Sequence, residues 1–250
     1  MSAVAAGAAL LTLAHVTKRF GGLTAVRGVS LEVRPGDLVG IIGPNGAGKT
    51  TLFNVIAGYY RPDEGRVTFD GRDVTALPAH AISRLGLTRT FQIVKPFGNL
   101  SVRDNVMIGA LTRRASVREA RPDAERVIEI CGLGPHAGAR ARALPLALRK
   151  RLEVARALAT RPRLLLLDEV MAGLNPTELA AMIDLVRRLH AEGLTLIVIE
   201  HIMAAIMRLS QRVVMLHHGE KIAEGTPREI ASDRRVIDAY LGEEFVLAEA

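Results

Sequence analysis

The sequence has few of the residues that mark a secreted protein with disulfide bonds. It contains a single cysteine, Cys131, so no disulfide can form within the chain. Cys131 falls in an apolar pattern over residues 127–133, which favours a buried structural thiol over a reactive one. The lack of disulfides agrees with the reducing conditions of the cytoplasm.

The sequence also lacks an apolar stretch long enough to cross a bilayer, which takes about 20 residues. Residues 1–14 are rich in Ala and Leu but lack the basic region of a secretory signal. We expect Leu11, Thr12 and Leu13 to begin the first strand instead. A chain of 250 residues is long enough to bury a sizeable core.

Aromatic residues are scarce: the chain has six Phe, three Tyr and no Trp. None of them clusters with basic residues in the sequence, which argues against a nucleic-acid partner, because such surfaces stack bases on aromatic rings. The formal net charge is +7. This charge suits nucleotides, an anionic lipid surface or nucleic acid and does not by itself choose among them.

What the sequence does contain is a phosphate-binding motif at residues 43–51. It matches G-x-x-x-x-G-K-[ST] and follows an apolar run, residues 38–42, as a phosphate loop between a strand and a helix requires. Its residues are Gly43, Pro44, Asn45, Gly46, Ala47, Gly48, Lys49, Thr50 and Thr51.

The chemistry of the motif follows from its residue types. Small residues let backbone N–H groups and a helix N-terminus point at phosphate oxygens. Lys49 would neutralise the β- and γ-phosphates, and Thr50 would hold Mg²⁺ through its hydroxyl. The alternative, a Gly-rich turn that happens to contain Lys, does not account for the strand and helix that flank the motif.

A second part of a nucleotide site lies at the end of a continuous apolar run, residues 164–167. Such a run predicts a parallel strand buried on both faces, and ligands bind at the carboxyl ends of these strands. Asp168 is expected to support Mg²⁺ beside Thr50, and Glu169 to polarise an attacking water. The structural alternative is an acidic pair that merely ends a strand.

Two more polar residues are candidates for this site. His201 comes just after residues 195–199, in a position parallel to that of Asp168, where it would contact a γ-phosphate. Gln92 follows residues 87–91 and is a candidate for holding the water or the metal. Each of these residues, taken alone, could equally be structural.

The hydrophobic pattern predicts strands up to about residue 70, helices over about 100–160, and then alternating strands and helices. We therefore expect residues 1–250 to form a single α/β domain with an inserted helical lobe. The predicted strands are residues 11–16, 25–33, 38–42, 66–70, 164–167, 194–199 and 212–217. The predicted helices are residues 102–111, 123–132, 149–159 and 177–190, with a helix-compatible segment at 51–57.

These motifs, in this order, resemble those of ATP-binding cassette (ABC) transporter ATPases. Residues 43–51 resemble Walker A, Gln92 the Q-loop, residues 164–169 Walker B, residues 172–176 the D-loop and His201 the switch histidine. The resemblance covers about residues 11–242. It implies an ABC-type P-loop nucleotide-binding fold with an antiparallel β lobe and an inserted helical lobe, and it implies ATP and Mg²⁺ as cofactors.

The resemblance also implies roles for single residues. Glu169, His201, Lys49 and Gln92 would be catalytic, and Thr50, Gln92 and Asp168 would contact the metal. Phe20 matches the aromatic residue that stacks on adenine, although a bare Phe is more often a core residue. Residues 94–97, after Gln92, would contact a membrane subunit.

The C-terminal sequence resembles one branch of the family. Residues 219–227 and 236–242 look like those of ATPases from high-affinity branched-chain amino acid importers, with importers of urea and related polar solutes close by. The resemblance implies a peripheral ATPase on the cytoplasmic face of the membrane. Its partners would be a second ABC ATPase, membrane permease subunits and, indirectly, a periplasmic solute-binding protein; no nucleic acid is expected.

One motif departs from the family pattern. The usual signature is Leu-Ser-Gly-Gly-Gln, and residues 144–148 read Leu-Pro-Leu-Ala-Leu. In the family this loop contacts the γ-phosphate bound by the opposite subunit. Pro145 has neither a hydroxyl nor an N–H, Ala147 is expected to resist a Gly-like conformation, and the Leu148 side chain cannot hydrogen-bond.

The departure leaves several hypotheses open. It favours a heterodimer, in which the partner supplies an intact signature, over a homodimer with two weakened sites. A regulatory cassette that binds ATP and hydrolyses little of it is the alternative function. A soluble cassette of translation or DNA repair is disfavoured, because such proteins usually carry tandem cassettes or long coiled-coil inserts.

Overall fold

The fold is built from two sheets and a set of helices, seen in a computed structural model that describes residues 8–91 and 96–240. The strands are β1 (Leu11–Phe20), β2 (Leu23–Val33), β3 (Leu38–Ile42), β4 (Glu64–Phe69), β5 (Arg72–Asp73), β6 (Leu87–Arg89), β7 (Leu164–Asp168), β8 (Thr195–Ile199), β9 (Arg212–His217) and β10 (Glu220–Gly225). The helices are α1 (Lys49–Ile56), α2 (Ala79–Leu85), α3 (Val102–Ala110), α4 (Val117–Ile130), α5 (Leu146–Leu158), α6 (Pro176–Ala191), α7 (Met203–Leu209) and α8 (Pro227–Ser232). Residues 234–240 are also helical.

The central sheet has six strands in the order β10-β9-β3-β8-β7-β6. All neighbours in it are parallel except the hairpin of β9 and β10. β3, β7 and β8 are buried along their whole length. This burial explains their continuous apolar sequences, since helices or a second sheet cover both faces of a parallel sheet.

Alternate residues of these strands enter two separate apolar clusters. Leu165 and Leu167 of β7 pack with the helices of the 100–160 region, whereas Leu164 and Leu166 pack with the other sheet and α1. That second sheet is antiparallel, with four strands in the order β2-β1-β4-β5. The predicted α/β core with an antiparallel lobe and a helical lobe is confirmed.

Two helices of the inserted lobe begin earlier than the sequence pattern predicts. α4 begins at Val117 instead of residue 123 and contains Pro122. Because Ala120 and Ala124 are fully buried on either side of this proline, packing holds the helix together across it. α5 begins at Leu146 instead of residue 149, directly after Pro145.

Other differences are small or concern short elements. β1 ends later than predicted, and β2 and β4 begin earlier. The sequence pattern does not mark six short elements, which are α2, α7, α8, β5, β6 and β10. Within the described residues, no helix has the length and apolar character needed to span a membrane.

Candidate nucleotide-binding site

The phosphate-binding loop lies between β3 and α1 and depends on glycine at two crowded positions. Gly43 and Gly48 have φ angles of 147° and 97°. A Cβ on Gly43 would lie 2.1 Å from the Leu216 carbonyl oxygen, and one on Gly48 would lie 2.2 Å from that of Ala25. Gly48 directly precedes α1 and provides no side-chain cap, so the helix starts with N–H groups that a bound anion can use.

Lys49 is buried inside the loop. Its Nζ donates to the carbonyl oxygens of Gly43 at 2.5 Å and Pro44 at 2.8 Å. These bonds hold the ammonium group inside the loop, against the backbone of the motif itself. A cation at this place is suited to phosphate oxygens.

The loop opens on a cavity of about 640 Å³. The cavity brings together the loop, Glu169 and Phe20, as the sequence predicts for a nucleotide site. It also contains Thr24, Arg27 and His218, which no sequence motif marks. Its lining residues are Phe20, Gly22, Leu23, Thr24, Ala25, Arg27, Asn45, Gly46, Ala47, Gly48, Lys49, Thr50, Thr51, Glu169 and His218.

Phe20 lies at the end of β1 and is not a core residue, since 43% of it is exposed. Its ring packs edge-to-face on Tyr60, with the ring centroids 5.2 Å apart. Lys18 Nζ lies 5.4 Å from the centroid of the Phe20 ring. An exposed ring at the rim of the cavity can stack on a planar base.

Asp168 is completely buried at the end of β7. Its Oδ2 accepts a hydrogen bond from Arg89 Nη2 at 2.7 Å, and it forms no hydrogen bond with Thr50. Burial raises the pKa of Asp168 to about 6, although the nearby Arg89 charge opposes the shift. No sequence pattern marks Arg89, because its partner lies in a strand far away in the chain.

Glu169 and His201 approach each other at the carboxyl ends of β7 and β8. Glu169 Oε2 lies 3.9 Å from His201 Nδ1, and the His201 side chain is about half exposed. Glu169 has a positive φ of 49°, and its carbonyl oxygen accepts a bond from Lys150 Nζ at 2.6 Å. The backbone at Glu169 is thus held in a conformation that turns the side chain into the cavity. Gln92 lies outside the described residues.

Comparison with known proteins identifies this constellation. Residues 26–172 match the family model for ABC transporters.

The chain belongs to the ABC transporter family.

An ABC cassette binds nucleotide and acts as an ATPase coupled to transport, which confirms the activity predicted from the motifs. The chain is 40% identical to the high-affinity branched-chain amino acid transport ATP-binding protein BraF of Pseudomonas aeruginosa, over 94% of this chain and 98% of BraF. It is 38% identical to LivG of Escherichia coli K12, a protein of the same description, with the same coverage. Residues 220–246 match a second family model, that of branched-chain amino acid ATP-binding cassette transporters.

Solved structures of ABC cassettes share this fold. The ADP conformation of an ATP-binding cassette of an ABC transporter superposes with a TM-score of 0.86 at 31% identity, covering 94% of this chain and all of that one. A dimeric cassette in a post-hydrolysis state, bound to ADP and phosphate, gives a TM-score of 0.79 at 26% identity, covering 87% of this chain and 99% of that one.

The altered signature of this ABC cassette forms the start of α5. Pro145 occupies the N-cap position without a side-chain cap, and Ala147 and Leu148 lie in the first helical turn. Ala147 therefore adopts a helical conformation, and the expected conflict with a Gly-like backbone does not arise. The first-turn N–H groups have no carbonyl partner within the helix and remain suited to an anion.

Cavity size alone would not have identified the ABC nucleotide site. A cavity of about 660 Å³ lies elsewhere, between the antiparallel sheet and the β9–β10 hairpin. Three of its charged residues pair with one another: Arg212 and Lys221 both bridge to Glu224. It has no glycine loop and no helix N-terminus among its lining residues.

Proposed function

We propose that this chain hydrolyses Mg-ATP to drive the import of branched-chain amino acids. The observation that carries the ATPase part is the single cavity that contains Lys49, Thr50 and Glu169. The amino acid part is supported by the names of the relatives BraF and LivG and by the match of residues 220–246. Those names all refer to transport, and none of them supports a regulatory cassette with little hydrolysis.

The donor set fits Mg²⁺. Asp168 Oδ1 is buried and accepts no hydrogen bond from the described residues, so one carboxylate oxygen is free for a ligand. No cluster of three or more His, Cys, Asp or Glu in the described part of the chain could hold a metal by itself. This agrees with Mg²⁺, which usually takes one or two protein oxygens and completes its shell with phosphates and water.

The residues of the cavity, together with Asp168 and His201, which do not line it, would then divide the work. Thr50 and Asp168 would hold Mg²⁺, which neutralises phosphate charge when it is bound. Lys49 and His201 would stabilise charge on the γ-phosphate, and Glu169 would orient the attacking water. The role of Gln92 in holding water or metal stays a prediction.

The protein would act as one half of an ABC dimer on the cytoplasmic face of the membrane. ABC sites are composite, so the Walker motifs of this chain would face the signature of a partner cassette. Because Pro145 and Leu148 remove polar groups from this chain's own signature, a heterodimer is favoured over a homodimer. Permease subunits and a periplasmic solute-binding protein would complete the importer.

The test uses a strain that lacks the gene for this chain and measures uptake of labelled leucine. The wild-type gene should restore uptake. In a second test, of the role of Glu169, the variant Glu169→Gln should retain ATP binding but lower ATP turnover by about 10²–10⁴-fold, as expected for loss of a general base. Glu192→Gln, at an exposed position after α6, is the matched control. ATP turnover without leucine, isoleucine or valine uptake would contradict the solute, and wild-type turnover in Glu169→Gln would contradict the role of Glu169.

A further inference from the structure

Arg89 is a buried cation at the point where three parts of the ATPase site meet. It is the last residue of β6, and its side chain is only 4% exposed. Nη2 donates to Asp168 Oδ2 at 2.7 Å, and Nη1 donates to Asn54 Oδ1 at 2.6 Å. Asn54 belongs to α1, the helix that follows the phosphate loop.

The same guanidinium also contacts the segment that leads to Gln92. Nε donates to the Thr90 carbonyl oxygen at 2.9 Å, and the guanidinium carbon lies 4.8 Å from the centre of the Phe91 ring. Thr90 in turn accepts a hydrogen bond at Oγ1 from the Asp168 N–H at 3.0 Å. Two bonds from adjacent residues thus hold Asp168, one at its side chain and one at its backbone.

The two oxygens of Asp168 differ as a consequence. Oδ2 is occupied by Arg89, whereas Oδ1 is buried and accepts no hydrogen bond from the described residues. A bond to one oxygen fixes the plane of the carboxylate and therefore the direction of the other oxygen. Outer partners of this kind orient metal ligands in many sites.

We infer that Arg89 is a positioning residue that holds Asp168 by one oxygen so that the other is aimed at the metal of the nucleotide. This inference rests on the proposed Mg-ATP function. The planar guanidinium of Arg89 differs from a point charge, because its three nitrogens bond to Asp168, Asn54 and Thr90 at the same time. Lysine carries its three N–H donors on a single nitrogen, so it cannot span the three acceptors that Arg89 reaches with three different nitrogens.

The test separates metal-dependent from metal-independent nucleotide binding in the full chain. The affinity for a fluorescent ATP analogue is measured once with Mn²⁺ and once with EDTA, and the ratio gives the gain due to metal. Arg89→Met should lower this gain about tenfold or more, the range found for lost outer-shell partners. Its affinity in EDTA should stay within about twofold of wild type, since Arg89 does not line the cavity.

Two further variants make the result decisive. Arg89→Lys should show an intermediate gain, and it carries the test if Arg89→Met fails to give a cooperative thermal transition. Arg66→Met, which removes an exposed arginine bonded to Asp73 at 3.2 Å, should behave as wild type. The electron paramagnetic resonance spectrum of bound Mn²⁺ should change in both Arg89 variants and not in Arg66→Met.

The outcomes distinguish this inference from the proposed function. If both Arg89 variants keep the full gain in affinity from metal, and the Mn²⁺ spectrum does not change, then Arg89 is a structural ion pair only. A parallel loss of affinity with Mn²⁺ and with EDTA would also overturn the positioning role. A wild type with no gain from metal would overturn the Mg-ATP proposal and this inference together.

Discussion

Glu200 is a buried carboxylate next to His201 whose charge opposes folding at neutral pH. Its Oε1 accepts a hydrogen bond from the Met171 N–H at 2.7 Å, but its Oε2 accepts none from the described residues. Burial raises the pKa of Glu200 from 4.5 to about 7, despite the Met171 bond and the nearby Lys150 charge. Because the folded-state pKa exceeds the unfolded one, the free energy of unfolding falls as pH rises from about 4.5 to 7.

Substitution of this one residue should remove that dependence. We expect Glu200→Gln, which keeps an oxygen for Met171, to have a larger free energy of unfolding than wild type. This advantage should be about 2–3 kcal/mol greater at pH 8 than at pH 5. Urea denaturation of both proteins at the two pH values, without nucleotide, measures the difference. Glu192→Gln, at an exposed site, is the control, and a stability difference that does not change with pH would contradict the prediction.

Single residues of the site differ in how well the sequence marks them. Lys49, Thr50 and Glu169 are recognisable because they stand in contiguous motifs at strand ends. Arg89 and His218 are not, because their neighbours in space come from distant parts of the chain. A short-range pattern contains no information about such contacts.

Among the elements, the buried ones could be predicted best. β3, β7 and β8 agree with the predicted bounds to within one residue, because strands covered on both faces need continuous apolar sequences. The predicted α5 begins late because residues 144–148 are assigned to the signature loop, and the predicted α4 begins late because few apolar residues precede residue 123. Pro145 instead lies at the start of α5, where its missing N–H costs nothing, and packing of the lobe holds α4 together across Pro122.

The C-terminal helical segment, residues 234–240, is connected directly to the phosphate loop. The Gly43 N–H donates to the Tyr240 hydroxyl at 3.0 Å in a partly buried setting. Residues 220–246 are also the part that matches the branched-chain amino acid cassette model. This element therefore supports the base of the loop from outside the core motifs.

Removal of the Tyr240 hydroxyl tests this support. Tyr240→Phe leaves the Gly43 N–H without its acceptor, which should cost about 1 kcal/mol of stability and lower Tm by about 2–4 °C. Calorimetry of the nucleotide-free chain measures the change. Tyr60→Phe, in an exposed ring, is the matched control, and equal Tm values for Tyr240→Phe and wild type would contradict the prediction.

At the scale of the whole molecule, the proposed dimer would give the cassette two unequal halves of composite sites. The Walker half brings Lys49, Thr50 and Glu169 into one cavity. The signature half, at the start of α5, offers first-turn N–H groups but lacks the polar side chains of the family motif. The proposed single domain over residues 1–250 would contribute both halves to different sites of a dimer.

This asymmetry predicts how the assembled importer should respond to repair of the signature with Ala147→Gly and Leu148→Gln together. In a heterodimer whose partner signature is intact, one site is already active, so repair of the other should raise ATP turnover by about twofold. In a homodimer both sites carry the weakened signature, and restored phosphate donors should raise turnover by about 10²-fold or more, the effect of one such donor. Turnover per complex, measured in reconstituted vesicles, separates the two assemblies.

The control and the contrary outcome use the same assay. Leu146→Gln adds a polar side chain at an exposed neighbouring position of α5 and should leave turnover unchanged. The Gly substitution lowers helix stability by about 1 kcal/mol, so thermal melting of each variant must accompany the kinetics.

If the folded double variant turns over ATP at the wild-type rate, the altered loop does not limit hydrolysis. The backbone N–H groups at the start of α5 would then be sufficient for the partner's phosphate, and the reason to favour a heterodimer would disappear.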